Sequence, residues 1–245
     1  MAAAASAAAA PRAVGKQAMT RQSSLISDDT GEVAEAVAAA EAHTSGEIVT
    51  ILAEQSDDYA DIALVWSAAI ALLALSVVAT FPSFYLALWA RLIGGWTEEW
   101  HAEQILAMAT AVAALKFLGI WCILQWRPLR LWLVPGPIKH RRVRARAVTC
   151  FKLSTERRTR ARTGVLIYLS LVERRAEIVA DKAIAAKVAP QVWGDALATL
   201  LSGIKAGHMA GGLAGAVEKV GAVLAEHFPR DDDDQNELPD RLIEI

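Results

Sequence analysis

Apolar positions along this chain follow three patterns: unbroken runs, helical spacing, and short β-branched stretches. The unbroken pattern lies in residues 61–134. Residues 62–90 carry no charged side chain, and residues 105–126 carry one, Lys116. About 20 apolar residues suffice for a helix to cross the hydrocarbon core, so each run is long enough to span it with some tilt. The connector, residues 91–104, is polar and too short to hold a domain, and it places Trp96 and Trp100 where interfacial aromatics sit. The pattern predicts a transmembrane hairpin. The alternative, a helical pair buried in a soluble core, lacks enough apolar surface elsewhere in the chain to cover it.

Helical spacing and β-branched stretches account for the rest. Val33, Val37 and Ala40 recur at helical intervals behind an N-cap from Ser27-Asp28-Asp29, with Glu32 and Glu35 early and a stop near His43 at Ser45-Gly46. Residues 47–53 (EIVTILA) read as a strand buried on both faces. Pro135-Gly136-Pro137 is expected to halt the second span, and residues 139–155 to form a basic helix along the membrane surface. Thr163-Gly164 opens a strand over 165–171, residues 172–175 turn, and 176–180 return as its hairpin partner. Helices are predicted over 190–205, with Pro190 at the N-terminal position, and over 213–227, ended by Pro229. Gly207 and Gly211-Gly212 are read as punctuation between them.

The predicted organisation follows. Residues 1–24 form an Ala-rich, disordered N-terminus without the Leu-rich core of a secretory signal. Residues 25–60 hold the first part of an α/β domain and 61–134 the hairpin. Residues 135–229 hold the basic helix and the second part, and 230–245 an acidic, then amphipathic tail. That tail is read either as disordered or as a peptide that docks on something. Neither soluble piece has enough core alone, and the hairpin returns its ends together. The economical fold is one α/β domain with a small central sheet, interrupted by the hairpin, with 47–53 beside 165–171.

Charge orients this plan. A net charge of −2 over 245 residues hides strong segregation. Arg127, Arg130, Lys139, Arg141, Arg142, Arg144 and Arg146 follow the second run, whereas the connector sets Arg91 against Glu98, Glu99 and Glu103. The positive-inside rule then places both termini in the cytoplasm, at the inner membrane. Lys139, Arg141, Arg142, Arg144 and Arg146 are assigned to anionic lipid headgroups. A nucleic-acid surface would interleave stacking aromatics, and only Phe151 interrupts the basic block. Lys116 is left to snorkel, to face the partner helix or to mark a polar path. Cys122 and Cys150, one inside a span and one beyond the basic block, are not expected to pair.

Three segments together resemble a known family. TSGEIVTILAEQSDDYAD, TGVLIYLSLVERRAEIVADKAIAAKV and AGHMAGGLAGAVEKVGAVLAEHFP resemble the TPM domain family, in its bacterial form with a membrane hairpin inside the domain; the closing LPDRLIEI looks like the C-termini of that group. The resemblance implies a compact TPM-like α/β sandwich. The family includes a thylakoid protein linked to photosystem repair with weak phosphatase activity, and an accessory subunit of acetylcholine receptors. Where the family carries a glycine-rich G-Y-G turn beside acidic residues, this chain has Ala180-Asp181-Lys182-Ala183. That departure removes the close backbone approach an anion would need.

The chemistry legible in single residues is sparse. Glu47 and Asp181 are the candidate catalytic or cation-binding pair, placed at opposite ends of their strands and expected to meet at a sheet edge. The competing reading is strand-end solvation with ion pairs to Lys182, Arg174 or Arg175. His43, His208 and His227 read as helix-end residues, and no zinc spacing exists. No motif calls for a cofactor; a divalent cation is compatible with the acids but unsupported by any motif. The expected function is an accessory, assembly or quality-control factor for membrane proteins, with other membrane proteins and anionic lipid as partners, no nucleic acid, and homo-oligomers allowed. The rivals are a weak metal-assisted phosphatase, implied by the resemblance, and a small oligomeric channel or transporter resting on Lys116.

Overall fold

The computed structural model describes residues 30–93, 101–154, 163–189, 191–230 and 241–245. The expected disorder of residues 1–24, the N-cap at 27–29, Trp96, Trp100 and Pro190 lie outside the described residues. The chain divides into two compact units, Met1–Asp57 with His140–Ile245, and Asp58–Lys139.

The first unit is mixed α/β. Its sheet has the order β3-β2-β1-β4. β1 (Glu47–Ala53) runs parallel to β2 (Gly164–Ser170), with Glu47 opposite Gly164 and Ala53 opposite Ser170. Two strands separated by the whole apolar region therefore pair along their full length, as the sequence predicts. Every residue of both strands is buried. That is why they appear as unbroken β-branched runs rather than as an alternation. β3 (Arg175–Ala180) is the expected antiparallel partner of β2, with Tyr168 opposite Glu177.

Strand alternation sends side chains to two layers. Ile48, Leu52, Val165, Ile167 and Leu169 join a core with Val33 and Val37 of α1 (described over residues 30–41), Leu200 of α8 (Val192–Ala206), and Leu213, Val217 and Leu224 of α9 (Met209–His227). Val49, Ile51, Leu166 and Tyr168 pack on the other face with Val143, Ala147, Cys150 and Phe151 of the basic helix α6 (Gly136–Ser154). The spacing of those four α6 residues is helical, and the arginines fall between them.

One expectation in this unit is corrected. Gly211-Gly212 do not punctuate; both lie inside α9, which begins at Met209. A Cβ added at Gly212 would come 2.9 Å from Gly203 Cα on α8, and one at Gly203 would come 2.4 Å from Gly212 Cα. The missing side chains let two helix backbones touch. The turn itself is made by Gly207, left-handed at φ +81°. After β3 comes a short helix, α7 (Lys182–Lys187), which the sequence pattern did not predict. The end of the tail, read either as disordered or as a peptide that docks on something, docks on this unit's own sheet. Its β4 (Ile243–Glu244) pairs parallel with Ile51 and Leu52 at the outer edge of β1, and Leu242 enters the core.

The second unit is helical: α2 (Ala60–Thr80), α3 (Pro82–Ile93), α4 (Ala102–Ile123) and α5 (Arg127–Leu133). The run over 62–90 is thus two helices, not one. Pro82 supplies no backbone N–H and disfavours helical geometry at Phe81, so α2 ends there and α3 starts with proline in its first position. The second run ends before Pro135-Gly136-Pro137, at Ile123, and those residues begin α6 instead of halting a span. α2 and α4 pack along one another. Tyr59 and Ile62 at the start of α2 meet Leu131, Val134 and Ile138 after α4, and Arg130 reaches Asp58 at 3.6 Å. α2 and α4 are both long and apolar enough to cross a membrane.

Candidate functional site

The polar groups of the α/β unit gather on the α6 side of the sheet, at its two ends. At one end stand Glu47 and Asp181. β3 runs antiparallel to β2, so the end of β3 and the start of β1 come to the same end of the sheet. Glu47 starts β1, inside the sheet, and Asp181 follows the end of the edge strand β3. Gly164 of β2 lies between them, and two strand spacings separate their backbones by about 9–10 Å. Asp181 is bound to that central residue twice: its N–H donates to the Gly164 carbonyl at 3.0 Å, and its Oδ2 accepts from the Gly164 N–H at 3.2 Å. The carboxylate extends the β2–β3 ladder by one step, immediately before α7. Both acids are 7% exposed. Among the described residues, no group of three or more His, Cys, Asp or Glu could hold a metal ion.

The other end carries a network that motif reading missed. Glu173, in the β2–β3 turn, accepts from the Ser56 N–H at 3.1 Å and from the Ser170 hydroxyl through a short bond. Ser56 Oγ is 3.1 Å from the Tyr168 hydroxyl. The S-x-x-E spacing of Ser170 and Glu173 is the sequence signal; Ser56 arrives from across the sheet. Burial pushes the Tyr168 phenol up, opposed by its hydrogen bond to Ser56. Burial likewise raises the Cys150 thiol, with the Arg146 charge working against it. Both groups are therefore held neutral, and this cluster ties the β1 exit to the β2–β3 turn.

α6 covers this face and presents cations outward. Arg142 donates to Asp57 Oδ2 at 2.7 Å. His140 Nδ1 lies 2.9 Å from Glu177 Oε1, and Arg144 lies 3.4 Å from Glu177 Oε2. Of the five residues assigned to lipid headgroups, Arg142 and Arg144 thus serve carboxylates of their own unit. Arg141 and Arg146 are exposed without a carboxylate partner among the described residues, and Lys139 is half-buried. Lys116 is exposed on α4. His227 closes α9, where a cation suits the helix end. His208 follows the Gly207 cap of α8, its N–H donating to the Gly203 carbonyl at 2.9 Å, so it too falls at a helix C-terminal end.

Neither a family model nor a curated protein matches the chain. Among solved structures, the chain is similar to the NMR structure of BA42 protein from the psychrophilic bacterium Bizionia argentinensis sp. nov. The two share 20% identity with a TM-score of 0.50, over 89% of this chain and 94% of that one. At that identity the likeness shows the fold alone.

Proposed function

We propose that this chain is an inner-membrane protein of TPM-like α/β sandwich fold, tethered by a two-helix transmembrane hairpin, with both termini cytoplasmic. Its role is that of an accessory, assembly or quality-control factor for other membrane proteins. The observation that carries the reading is the exposed apolar surface of α2 and α4. Leu72 is 64% exposed and Leu115 72%, and large aliphatic side chains recur along both helices. A soluble monomer does not leave contiguous apolar surface of this extent to water. At 1.5 Å per residue, the 21 residues of α2 reach about 30 Å, the thickness of the hydrocarbon core. Trp126, which caps α5 beside Arg127, and Trp132 within α5 are 66% and 78% exposed, a composition suited to the headgroup region.

The family part of the proposal rests on the motifs T-S-G-E, which leads into β1, and G-V-L-I-Y-L-S-L-V-E-R, which holds β2 and the turn after it. The exposed arginines of α6 suit an anionic leaflet. Alkaline carbonate extraction, with paired reporters at residue 245 and in the 91–104 connector, tests the tether. The chain should stay in the membrane pellet with only the C-terminal reporter active in the cytoplasm. Release into the supernatant would overturn the tether, and a cytoplasmic connector would overturn the topology.

A further inference from the structure

Lys116 is the one charged side chain in the two apolar runs, residues 62–90 and 105–126. Its depth follows from the helix that carries it. Lys116 stands about 21 Å along the axis from the start of α4 at Ala102 and about 10 Å, or two turns, from its end at Ile123. With the hairpin in the membrane as proposed above, on which this inference rests, that is inside the hydrocarbon layer, nearer its cytoplasmic side. Snorkelling does not bring the charge out. A four-carbon stem covers about one turn, or 5 Å, and a helical side chain leans toward the N-terminus of its helix, here away from the nearer surface. The ammonium stops short of the lipid phosphates.

The chain supplies no counter-charge at this depth. Neither apolar run contains Asp or Glu, and Lys116, exposed on α4, makes no hydrogen bond or ion pair among the described residues. A second copy of the chain would bring the same cation and again no acid. An intramembrane cation without a partner is costly, and such groups pair with one another where helices meet. The surface around Lys116 suits a close neighbour. Ala113 and Gly119 lie one turn to either side of it on the same row, with Thr110 and Cys122 beyond. Gly119 is exposed, and a Cβ there would meet nothing within 4 Å. The packing of α2 on α4 therefore does not ask for glycine at that position. A second backbone brought up to α4 does, because small residues let transmembrane helices approach closely.

We infer that the Lys116 face of α4 is a recognition site for a transmembrane helix of another protein, one that carries Asp or Glu near its midpoint. Ammonium and carboxylate each supply the counter-charge the other lacks inside the bilayer. The pair gives the proposed accessory role a chemical criterion for its partners.

The full-length protein in phosphatidylcholine vesicles is titrated with single-span polyleucine helices carrying Asp, Leu or Lys at the midpoint. Association is read by energy transfer from a dye in the 91–104 connector to one at the end of the helix. The Asp helix should associate about tenfold more tightly than the Leu helix, the size of increment that interhelical polar contacts supply in membranes. Lys116→Leu should remove that preference, and Lys116→Asp should transfer it to the Lys helix. Equal association of the Asp and Leu helices, or a preference that survives Lys116→Leu, would overturn the site. So would a preference abolished by phosphatidylglycerol in the vesicles, since lipid phosphate would then be reaching the ammonium. Insertion is checked in the same vesicles with Lys116→Cys in a chain that also carries Cys122→Ala and Cys150→Ala, which a membrane-impermeant maleimide should leave unlabelled. Labelling would overturn the hairpin and the inference with it, whereas protection without a preference for Asp would overturn the recognition alone.

Discussion

Gly211 and Gly212 are adjacent in one helix, and replacing each by alanine should move stability in opposite directions. Alanine in place of glycine inside a helix gains about 1 kcal/mol from backbone entropy and propensity. At Gly211 nothing opposes the gain: the new Cβ meets the Glu32 Oε1 atom at 3.5 Å, an ordinary contact with a flexible side chain. At Gly212 it meets Gly203 Cα at 2.9 Å and the Leu200 carbonyl oxygen at 3.0 Å, both backbone atoms of α8. Neither can turn aside, so α8 and α9 must separate, and forcing an extra methyl into a packed interface costs about 1–3 kcal/mol. The clash outweighs the propensity gain, and Gly212→Ala should destabilise by about 1–2 kcal/mol. Gly203→Ala, with a contact at 2.4 Å, should cost more still.

Hydrogen exchange of α8 and α9 peptides, read by mass spectrometry on the full chain in detergent, measures this locally. A change of 1.4 kcal/mol in opening is tenfold in rate, so Gly212→Ala should exchange roughly tenfold faster and Gly211→Ala several-fold slower. If the two variants shift exchange in the same direction, the glycines are not there for close backbone contact and the packing argument fails.

Three further outcomes are expected. Cys150 is buried where α6 packs on the sheet, so alkylation at pH 8 of a Cys122→Ala chain should label Cys150 only on unfolding; rapid labelling of the folded chain would contradict the packing of α6. The folded-state pKa values of Cys150 and Tyr168 are raised, so their contribution to stability is complete below the ordinary values of 9.0 and 10.0 and is lost as pH rises through the folded ones. The thermal midpoint should accordingly fall above pH 9, less steeply in Tyr168→Phe, and an unchanged slope in that variant would remove Tyr168 from the account. Asp181 is read as a ladder acceptor, so Asp181→Asn, which keeps an oxygen for the Gly164 N–H, should cost less than Asp181→Ala, itself about 1–2 kcal/mol by chemical denaturation. Equal losses would mean that the charge matters more than the hydrogen bond.

What was legible in the chain and what was not divide along a physical line. β1, β2 and β3 could be read because burial on both faces writes itself as uninterrupted β-branched sequence, and the pairing of β1 with β2 followed from an insertion that returns its ends together. The break at Phe81 was hidden because hydropathy averages over Pro82, whereas a helix boundary is decided by one missing N–H. Gly211-Gly212 looked like a turn because a turn and a close helix crossing ask for the same absent Cβ; only Gly203, on the facing helix, tells them apart. Glu47 and Asp181 come to one end of the sheet, as the predicted hairpin of β2 and β3 implies, but the register that sets Gly164 of β2 between them was not legible in the sequence. The tail is the limiting case. Four residues, LIEI, are too few to show a period, and they become a strand because β1 has an open edge into which Leu242 and Ile243 fit. Such a segment carries half of a recognition pattern, the other half being the edge.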